Sequence, residues 1–341
     1  MCRLKTLFVP HPVAQVNTPW GDDVIAAVGE RHDLHIFDRD GSAAPQFEGI
    51  EVIVDLGGNM NVELIDAAAG AGVKFVQAQT NGLDHVPVDR ILASGMILAH
   101  CPGELSSVAL AESAMMFILI LAHVYNDAQE KFEAGECFFP IGMELDGRSL
   151  GIVGLGASGR QLAHRARAFG MRILAIDIRP IEEDVLAKLQ PEFIGDAADL
   201  DQVVADCDFL SLHLPLTVST RHTLDARRIG LMKPTACVIN VARGALVDEQ
   251  ALHQALLEQR IGGAGLDAFA DEPPDPTGLP VAQRLCHAPH RRFNRRHFAQ
   301  ARGICRGQSG PLRPQRGDCR ACHVADKLKV RPQSAQWVKA R

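Results

Sequence analysis

The chain has 341 residues, 47% of them apolar, and a formal net charge of −6 at pH 7. That length exceeds what one hydrophobic core usually fills, so we expect two globular domains. The composition is typical of a soluble protein and excludes a chain too polar to build a core.

The N-terminus and the cysteines predict where the protein works. The opening MCRLKTLFVPHP has neither a basic flank before a long apolar stretch nor a small-residue cleavage site, so no targeting peptide is predicted. The most apolar run, residues 108–124, is interrupted by Glu112 and Ser113 and favours a buried helix over a membrane span. The nine cysteines lie mostly singly in apolar segments, as reduced intracellular thiols do. We expect a cytoplasmic protein without a membrane partner.

Short β-like runs alternate with helical patterns through the first hundred residues. Ala-rich helical segments separate strands predicted at residues 6–9, 34–37, 52–55, 75–78 and 97–99. Such alternation predicts βαβ units and a parallel sheet. Pro102 and Gly103 end this half, and a linking helix is predicted from residue 106 to about 125.

A second alternating set follows the linking helix. Its predicted strands are rich in Ile, Val and Leu and span residues 149–153, 172–176, 209–213, 237–241, 265–269 and a weak run near Leu285. Six such strands make a complete doubly wound parallel sheet, so the predicted fold class is α/β.

A glycine-rich turn follows the first strand of this set. In GIVGLGASGR, Gly154, Gly156 and Gly159 stand between the strand and a helix. Glycines at these positions permit a tight turn, the approach of a pyrophosphate to the backbone, and close helix–strand packing. Asp177 ends the next strand. A carboxylate there binds ribose hydroxyls and repels a 2′-phosphate, which favours NAD over NADP, although Arg179 stands nearby.

Two later segments carry a resemblance to a known family. DFLSLHLPLTVSTRHTLDARRIGLMKPTACVINVARGALVDEQAL begins at Asp208, and GAGLDAFADEPP follows it. Both resemble the D-isomer-specific 2-hydroxyacid dehydrogenases, and the likeness covers about residues 50–290. It implies two Rossmann-like domains with doubly wound parallel sheets and the active site in the cleft between them. Residues 1–103 would form a flavodoxin-like substrate domain and residues 104–289 the NAD-binding domain.

The resemblance also implies the catalytic residues. Arg243 in NVARG corresponds to the arginine that grips the substrate carboxylate and carbonyl oxygen, a task suited to a planar guanidinium. Glu272 in ADEPP corresponds to the acid that orients a catalytic histidine and raises its pKa. His290 in HAPH corresponds to that histidine, which exchanges a proton with the carbonyl oxygen.

The binding residues are implied in the same way. The cofactor contacts of the family correspond to Gly154, Gly156, Ser158, Gly159, Arg160, Asp177, His213, Leu214, Pro215, Thr220, Val241, Ala242, Arg243 and Asp267. The substrate contacts correspond to backbone amides at Gly57 and Gly58 and to the loop at Asn81 and Gly82. No metal site is predicted.

The sequence departs from the family after residue 290. Residues 291–341 contain 14 Lys and Arg against two acids, and the helical apolar period of the family is absent. We interpret residues 290–341 as an atypical basic tail and hypothesise a reading-frame change, which resequencing of the locus would test. CRACH, from Cys319 to His323, fits the pattern for c-type haem attachment. The sequence shows neither the export signal nor the apolar pocket that such a haem needs, so no haem is predicted. The basic run lacks a helical stripe, so a solvated tail is predicted and no nucleic-acid partner.

Three functions remain open at this point. The first is an NAD-dependent dehydrogenase that transfers hydride to or from C2 of a small D-2-hydroxy acid. The second is an NAD-sensing interaction protein of the same fold, as in the C-terminal-binding corepressors, and the third is a catalytically silent member that still binds NAD. The sequence does not identify the acid. A homodimer is expected from the resemblance.

Overall fold

The computed structural model describes residues 3–138 and 140–272, together with the strands at 285–287 and 336–338. It separates into two compact units. Unit 1 comprises Met1–Leu105 and Phe293–Arg341, and unit 2 comprises Ser106–Arg292.

Unit 1 contains a mainly parallel sheet with the order β13-β5-β4-β3-β1-β2. Its strands are β1 (Lys5–Val9), β2 (Asp33–Ile36), β3 (Val52–Leu56), β4 (Phe75–Gln79), β5 (Ile97–His100) and β13 (Gln336–Val338). Its helices are α1 (Ala14–Asn17), α2 (Trp20–Gly29), α3 (Ala43–Gln46), α4 (Val62–Gly70) and α5 (Val88–Ala93). The order 2-1-3-4-5 is the flavodoxin-like one, whose strand order reverses between β1 and β3. Every residue of β3 is buried, as expected of a central parallel strand.

The antiparallel strand β13 was not predicted. Gln336–Val338 pairs with Leu98, Ala99 and His100 of β5, a stretch in which the sequence pattern predicted no strand. β5 is the edge of the parallel set, and its exposed backbone groups can pair with any extended segment.

Unit 2 contains a parallel sheet with the order β12-β11-β10-β9-β6-β7-β8. Its strands are β6 (Ser149–Val153), β7 (Arg172–Ile176), β8 (Phe193–Gly195), β9 (Phe209–Leu212), β10 (Cys237–Asn240), β11 (Gly263–Leu266) and β12 (Leu285–His287). Its helices are α6 (Glu104–Ala122, which begins in unit 1), α7 (Tyr125–Glu133), α8 (Ala157–Ala168), α9 (Glu183–Leu189), α10 (Leu200–Asp206), α11 (Ala226–Ile229) and α12 (Glu249–Leu257). This is the doubly wound order 3-2-1-4-5-6, extended by one strand. The short edge strand β8 was missed because three residues carry too little pattern.

The long apolar helix α6 lies against the sheet of unit 2. By length and composition it could cross a membrane, a test that buried core helices also pass. Ala114, Phe117 and Ile118 are buried in one cluster with Leu150 and Ile152 of β6. A Cβ on Gly265 of β11 would lie 2.5 Å from Phe117, so a glycine there lets the helix approach the sheet. These contacts agree with the predicted buried helix.

Candidate functional site

The candidate residues of unit 2 lie at the carboxyl ends of its parallel strands. The glycine-rich turn follows β6, Asp177 follows β7 and His213 follows β9. Arg243 lies just beyond β10, and Asp267 follows β11 directly. Strands β6 and β9 are neighbours, and the strand order reverses between them, which opens a crevice at this edge. The topology therefore gathers segments separated by more than a hundred residues.

A side chain at each of the three glycines of the turn would meet different surroundings. Gly154 has φ +100°, and a Cβ on it would lie 2.8 Å from the His213 carbonyl oxygen. A Cβ on Gly159 would lie 2.1 Å from the Gly154 carbonyl oxygen. Gly156 faces open space, since its nearest neighbour would be the Arg179 guanidinium at 3.8 Å. Two glycines thus let the turn close, while the third leaves room above the backbone.

That open room suits a pyrophosphate. Gly156 is the N-cap of α8, a 12-residue helix whose first turn presents backbone N–H groups and a partial positive charge. Arg160 in that turn donates from Nε to the Leu155 carbonyl oxygen and pairs through Nη2 with Glu182 at 2.7 Å. The turn is therefore braced by side chains and fits the diphosphate of a dinucleotide.

Asp177 is a nearly buried carboxylate beside the turn. It accepts hydrogen bonds from the backbone of Leu155 and from the backbone and guanidinium of Arg179. Burial opposes its ionisation, but the bonds from Arg179 and Leu155 outweigh burial, so the pKa of Asp177 lies below its ordinary value. The carboxylate is charged at neutral pH and suits ribose hydroxyls.

His213 is held neutral between two hydroxyl groups. Its Nδ1 lies 2.9 Å from Ser158 Oγ of the turn, and its Nε2 lies 2.9 Å from Ser211 Oγ of β9. Desolvation of the ring lowers the pKa of His213 to about 4. The ring therefore connects β9 to the first turn of α8 and fixes the Ser158 hydroxyl. Ser211 was not among the predicted site residues, and its only signal is a polar side chain inside a buried strand.

We expect His213 to make stability depend on pH between about 6.5 and 4. The unfolded chain binds a proton on this histidine below pH 6.5, whereas the folded chain does so only near pH 4. The stabilisation is therefore complete above pH 6.5 and is lost as pH falls towards 4, by up to roughly 3 kcal/mol. Thermal unfolding of the wild type and of His213→Gln at several pH values between 7 and 4.5 tests this. The wild type should lose more stability than the variant; equal losses would contradict the assignment.

Arg243 is positioned by residues on both sides of it. Asn240, the last residue of β10, donates from Nδ2 to the Arg243 carbonyl oxygen and accepts from the Ala242 amide. A Cβ on Gly244 would lie 1.9 Å from the Phe269 carbonyl carbon. The loop after β10 is thus pressed against the backbone of residues 269–270. Asn240 and Gly244 were not predicted as site residues, although they are the first and last residues of NVARG.

The segment against Gly244 contains the predicted acid. Glu272 Oε1 accepts from the Phe269 amide at 3.1 Å, and Glu249 accepts from the Ala270 amide at 2.7 Å. Burial, followed by repulsion from Asp271 and Glu272, raises the pKa of Glu249. The structure therefore brings Arg243 and the Glu272 turn to one edge of unit 2. His290 lies outside the described residues, so the proton relay stays a prediction.

The remaining predicted residues of unit 2 line the same edge. Thr220 Oγ1 donates to the Pro215 carbonyl oxygen at 2.7 Å and closes an exposed turn after β9. Val241 and Asp267 are buried, and Leu214 and Ala242 are partly buried. The Asp267 amide donates to the Asn240 carbonyl oxygen, which joins the ends of β10 and β11.

The predicted substrate residues of unit 1 form two loops. Gly57 and Gly58 follow β3 with φ +83° and +74°, conformations that other residues adopt only with strain. His85 Nε2 lies 2.6 Å from the Gly57 carbonyl oxygen and ties the two loops together. The carbonyl oxygens of Asn81 and Gly82 accept from His100 and Thr80.

Asp55 holds the first loop through hydrogen bonds. It was not among the predicted site residues. Its carboxylate accepts from the amides of Asn59 and Met60, at 3.0 and 3.1 Å. Burial raises the pKa of Asp55 despite those two bonds. Asp55, Gly57 and Gly58 therefore form a loop with fixed backbone at the reversal point between β1 and β3.

A comparison with known families decides the identity of this site. The sequence profile of the D-isomer specific 2-hydroxyacid dehydrogenase, NAD binding domain, matches residues 115–291. The chain belongs to the D-isomer-specific 2-hydroxyacid dehydrogenase family. The predicted family, the α/β fold and NAD as the cofactor are confirmed. The matched span contains the glycine-rich turn, Asp177 and Arg243.

Curated relatives of this dehydrogenase family have several activities. D-3-phosphoglycerate dehydrogenase of Methanocaldococcus jannaschii is 35% identical over 224 residues, which cover 65% of this chain and 42% of that protein. Hydroxypyruvate reductase of Thermotoga maritima is 36% identical over 208 residues, which cover 60% of this chain and 65% of that protein. The chain thus spans less than two thirds of the length of these two relatives.

A solved structure of the dehydrogenase family has the same fold. It is the NADPH-dependent glyoxylate/hydroxypyruvate reductase of Sinorhizobium meliloti in complex with NADP and malonate. The match has a TM-score of 0.73 at 26% identity and covers 89% of this chain and 92% of that one.

Proposed function

We propose that the protein is an NAD-dependent oxidoreductase that interconverts small 2-oxo acids and D-2-hydroxy acids. The observation that carries the proposal is the fixed position of Arg243. Gly244 presses its loop against residues 269–270, and Asn240 holds its backbone at the sheet edge that carries the glycine-rich turn. The guanidinium that this backbone carries, whose Nη1 donates to the Ala242 carbonyl oxygen at 3.0 Å, supplies a positive charge and planar donors for a carboxylate and its neighbouring carbonyl oxygen.

The bound cofactor would accept or deliver the hydride at its nicotinamide ring. Arg243 would orient the 2-oxo acid and draw electron density from C2, and the backbone amides at Gly57 and Gly58 would bind the carboxylate. His290 would give a proton to the carbonyl oxygen during reduction, and Glu272 would hold its ring in one tautomer. Glu272 is suited to this role because its own carboxylate is anchored on the Phe269 amide.

The proposed substrate class rests on the names of curated relatives. Relatives named for glyoxylate and hydroxypyruvate act on short 2-oxo acids. We infer that this chain takes substrates of the same class, with no nucleic-acid or membrane partner.

We also propose that the protein is a cytoplasmic homodimer that pairs through unit 2. Support for a dimer comes from large exposed apolar side chains on α7 and the segment after it: Tyr125 is 57% exposed, Phe132 74%, Phe138 92% and Ile141 80%. Four large apolar side chains exposed within 17 residues of chain are consistent with a protein–protein interface. Support for the cytoplasm comes from the cysteines within residues 3–138 and 140–272, which form no disulfide. Sedimentation of the full chain should show twice the monomer mass, and Phe132→Asp should shift it towards the monomer.

The test of the activity is NADH oxidation by the purified full chain over a panel of glyoxylate, hydroxypyruvate and pyruvate. NADH binding is measured in parallel by fluorescence. Turnover of one or more acids would support the proposal. Binding without turnover would refute it and favour an NAD-sensing or catalytically silent protein.

A further inference from the structure

Arg179 saturates the carboxylate that the ribose of NAD would need. Asp177 Oδ1 accepts from the Arg179 amide at 2.9 Å and from Arg179 Nε at 3.1 Å. Asp177 Oδ2 accepts from the Leu155 amide at 2.9 Å and from Arg179 Nη2 at 3.1 Å. A carboxylate offers about four acceptor positions, so all of them are taken.

Of the four donors to Asp177, only the two on the Arg179 guanidinium can move away. The two amide donors belong to the backbone and stay in place, while the guanidinium is on a side chain that is 65% exposed. Asp177, at 5% exposure, cannot turn away. If the guanidinium leaves, one acceptor position opens on each oxygen, which is what two ribose hydroxyls require.

The released guanidinium would remain close to the nucleotide. A Cβ on Gly156 would lie 3.8 Å from Arg179 Nη2, so the group stands over the open part of the glycine-rich turn. The neighbouring pair of Arg160 and Glu182 is already formed, at 2.7 Å. A phosphate on the 2′ oxygen would therefore meet an exposed cation as well as the Asp177 carboxylate.

We propose that Arg179 determines cofactor specificity, by competing with the ribose hydroxyls of NAD for Asp177 and by offering a cation to the 2′-phosphate of NADP. The proposal rests on the dinucleotide site of the proposed function. The preference for NAD over NADP is then not set by Asp177 alone. The wild type should discriminate less strongly between the two cofactors than the presence of an aspartate at position 177 suggests.

Dissociation constants of NADH and NADPH, measured by calorimetry without substrate, test this. In Arg179→Ala, the ratio of the NADPH constant to the NADH constant should rise about tenfold, because NADH meets no competitor and NADPH loses its cation. Arg179→Gln should change the ratio in the same direction, because it removes the cation while it keeps a shorter polar side chain. Arg172→Ala is the matched control: Arg172 begins β7, pairs with Glu192 at 3.0 Å, and lies at the opposite end of the strand from Asp177. Its ratio should stay within about twofold of the wild type.

The outcomes separate the two proposals. An unchanged or lower ratio in both Arg179 variants, with NADH still bound, would overturn the role of Arg179 and leave the proposed function standing. If the unmodified chain binds neither dinucleotide, the proposed function fails and this inference fails with it.

Discussion

Arg243→Ala should lower kcat/KM for 2-oxo acid reduction by at least about a thousandfold while leaving NADH binding within a few fold of the wild type. The side chain is a permanently charged group predicted to bind the substrate, and a thousandfold loss corresponds to about 4 kcal/mol of transition-state stabilisation. Charge-assisted bonds to a carboxylate and a developing oxyanion account for a loss of that size. Steady-state kinetics and calorimetric NADH binding measure the two quantities separately.

Two further variants sharpen the Arg243 prediction. Arg243→Lys keeps the charge but loses the planar pair of donors, so we expect it to recover only part of the activity. Arg260→Ala removes an exposed arginine that pairs with Glu258 at 2.7 Å, and its kinetics should match the wild type. Arg243→Ala retaining a tenth or more of the wild-type kcat/KM would show that the substrate is bound elsewhere.

Gly159→Ala should destabilise unit 2 by about 3 kcal/mol or more and abolish NADH binding. The added Cβ would lie 2.1 Å from the Gly154 carbonyl oxygen and 3.2 Å from Ile152, so the helix must move away from the strand. Overpacking against side chains costs about 1–3 kcal/mol, and a clash with backbone has fewer ways to relax. The movement would also displace the first turn of α8 from the place where a phosphate binds. Thermal unfolding and calorimetric NADH binding test both effects.

A second helical glycine provides the control for Gly159. Gly70 ends α4 in unit 1, and a Cβ placed on it has no neighbour within 4 Å. Gly70→Ala should leave stability the same or raise it by a few tenths of a kcal/mol, because alanine lowers the entropy of the unfolded chain. A wild-type unfolding curve for Gly159→Ala would contradict the packing found at the turn.

The sequence by itself determined the fold class and the dinucleotide site. Alternating β-like and helical runs predicted two parallel sheets, because each pattern depends on local periodicity alone. The glycine-rich turn and Asp177 were recognisable because their spacing, from strand to turn to helix to strand, is fixed along one continuous segment. Arg243 and Glu272 were found through motifs that resemble a family, and their roles remain proposals.

Only the tertiary structure decided which distant groups support these residues. Ser158 and Ser211 meet at His213 across 53 residues of chain, and Gly244 meets Phe269 across 25, contacts that no local pattern encodes. The sequence also did not reveal that Arg179 saturates Asp177. It places the two residues close together along the chain, but it does not show which acceptor positions of the carboxylate are filled. Local sequence sets the backbone conformation of each segment. Strand order and helix packing then decide which side chains share a site, because these depend on the whole sheet.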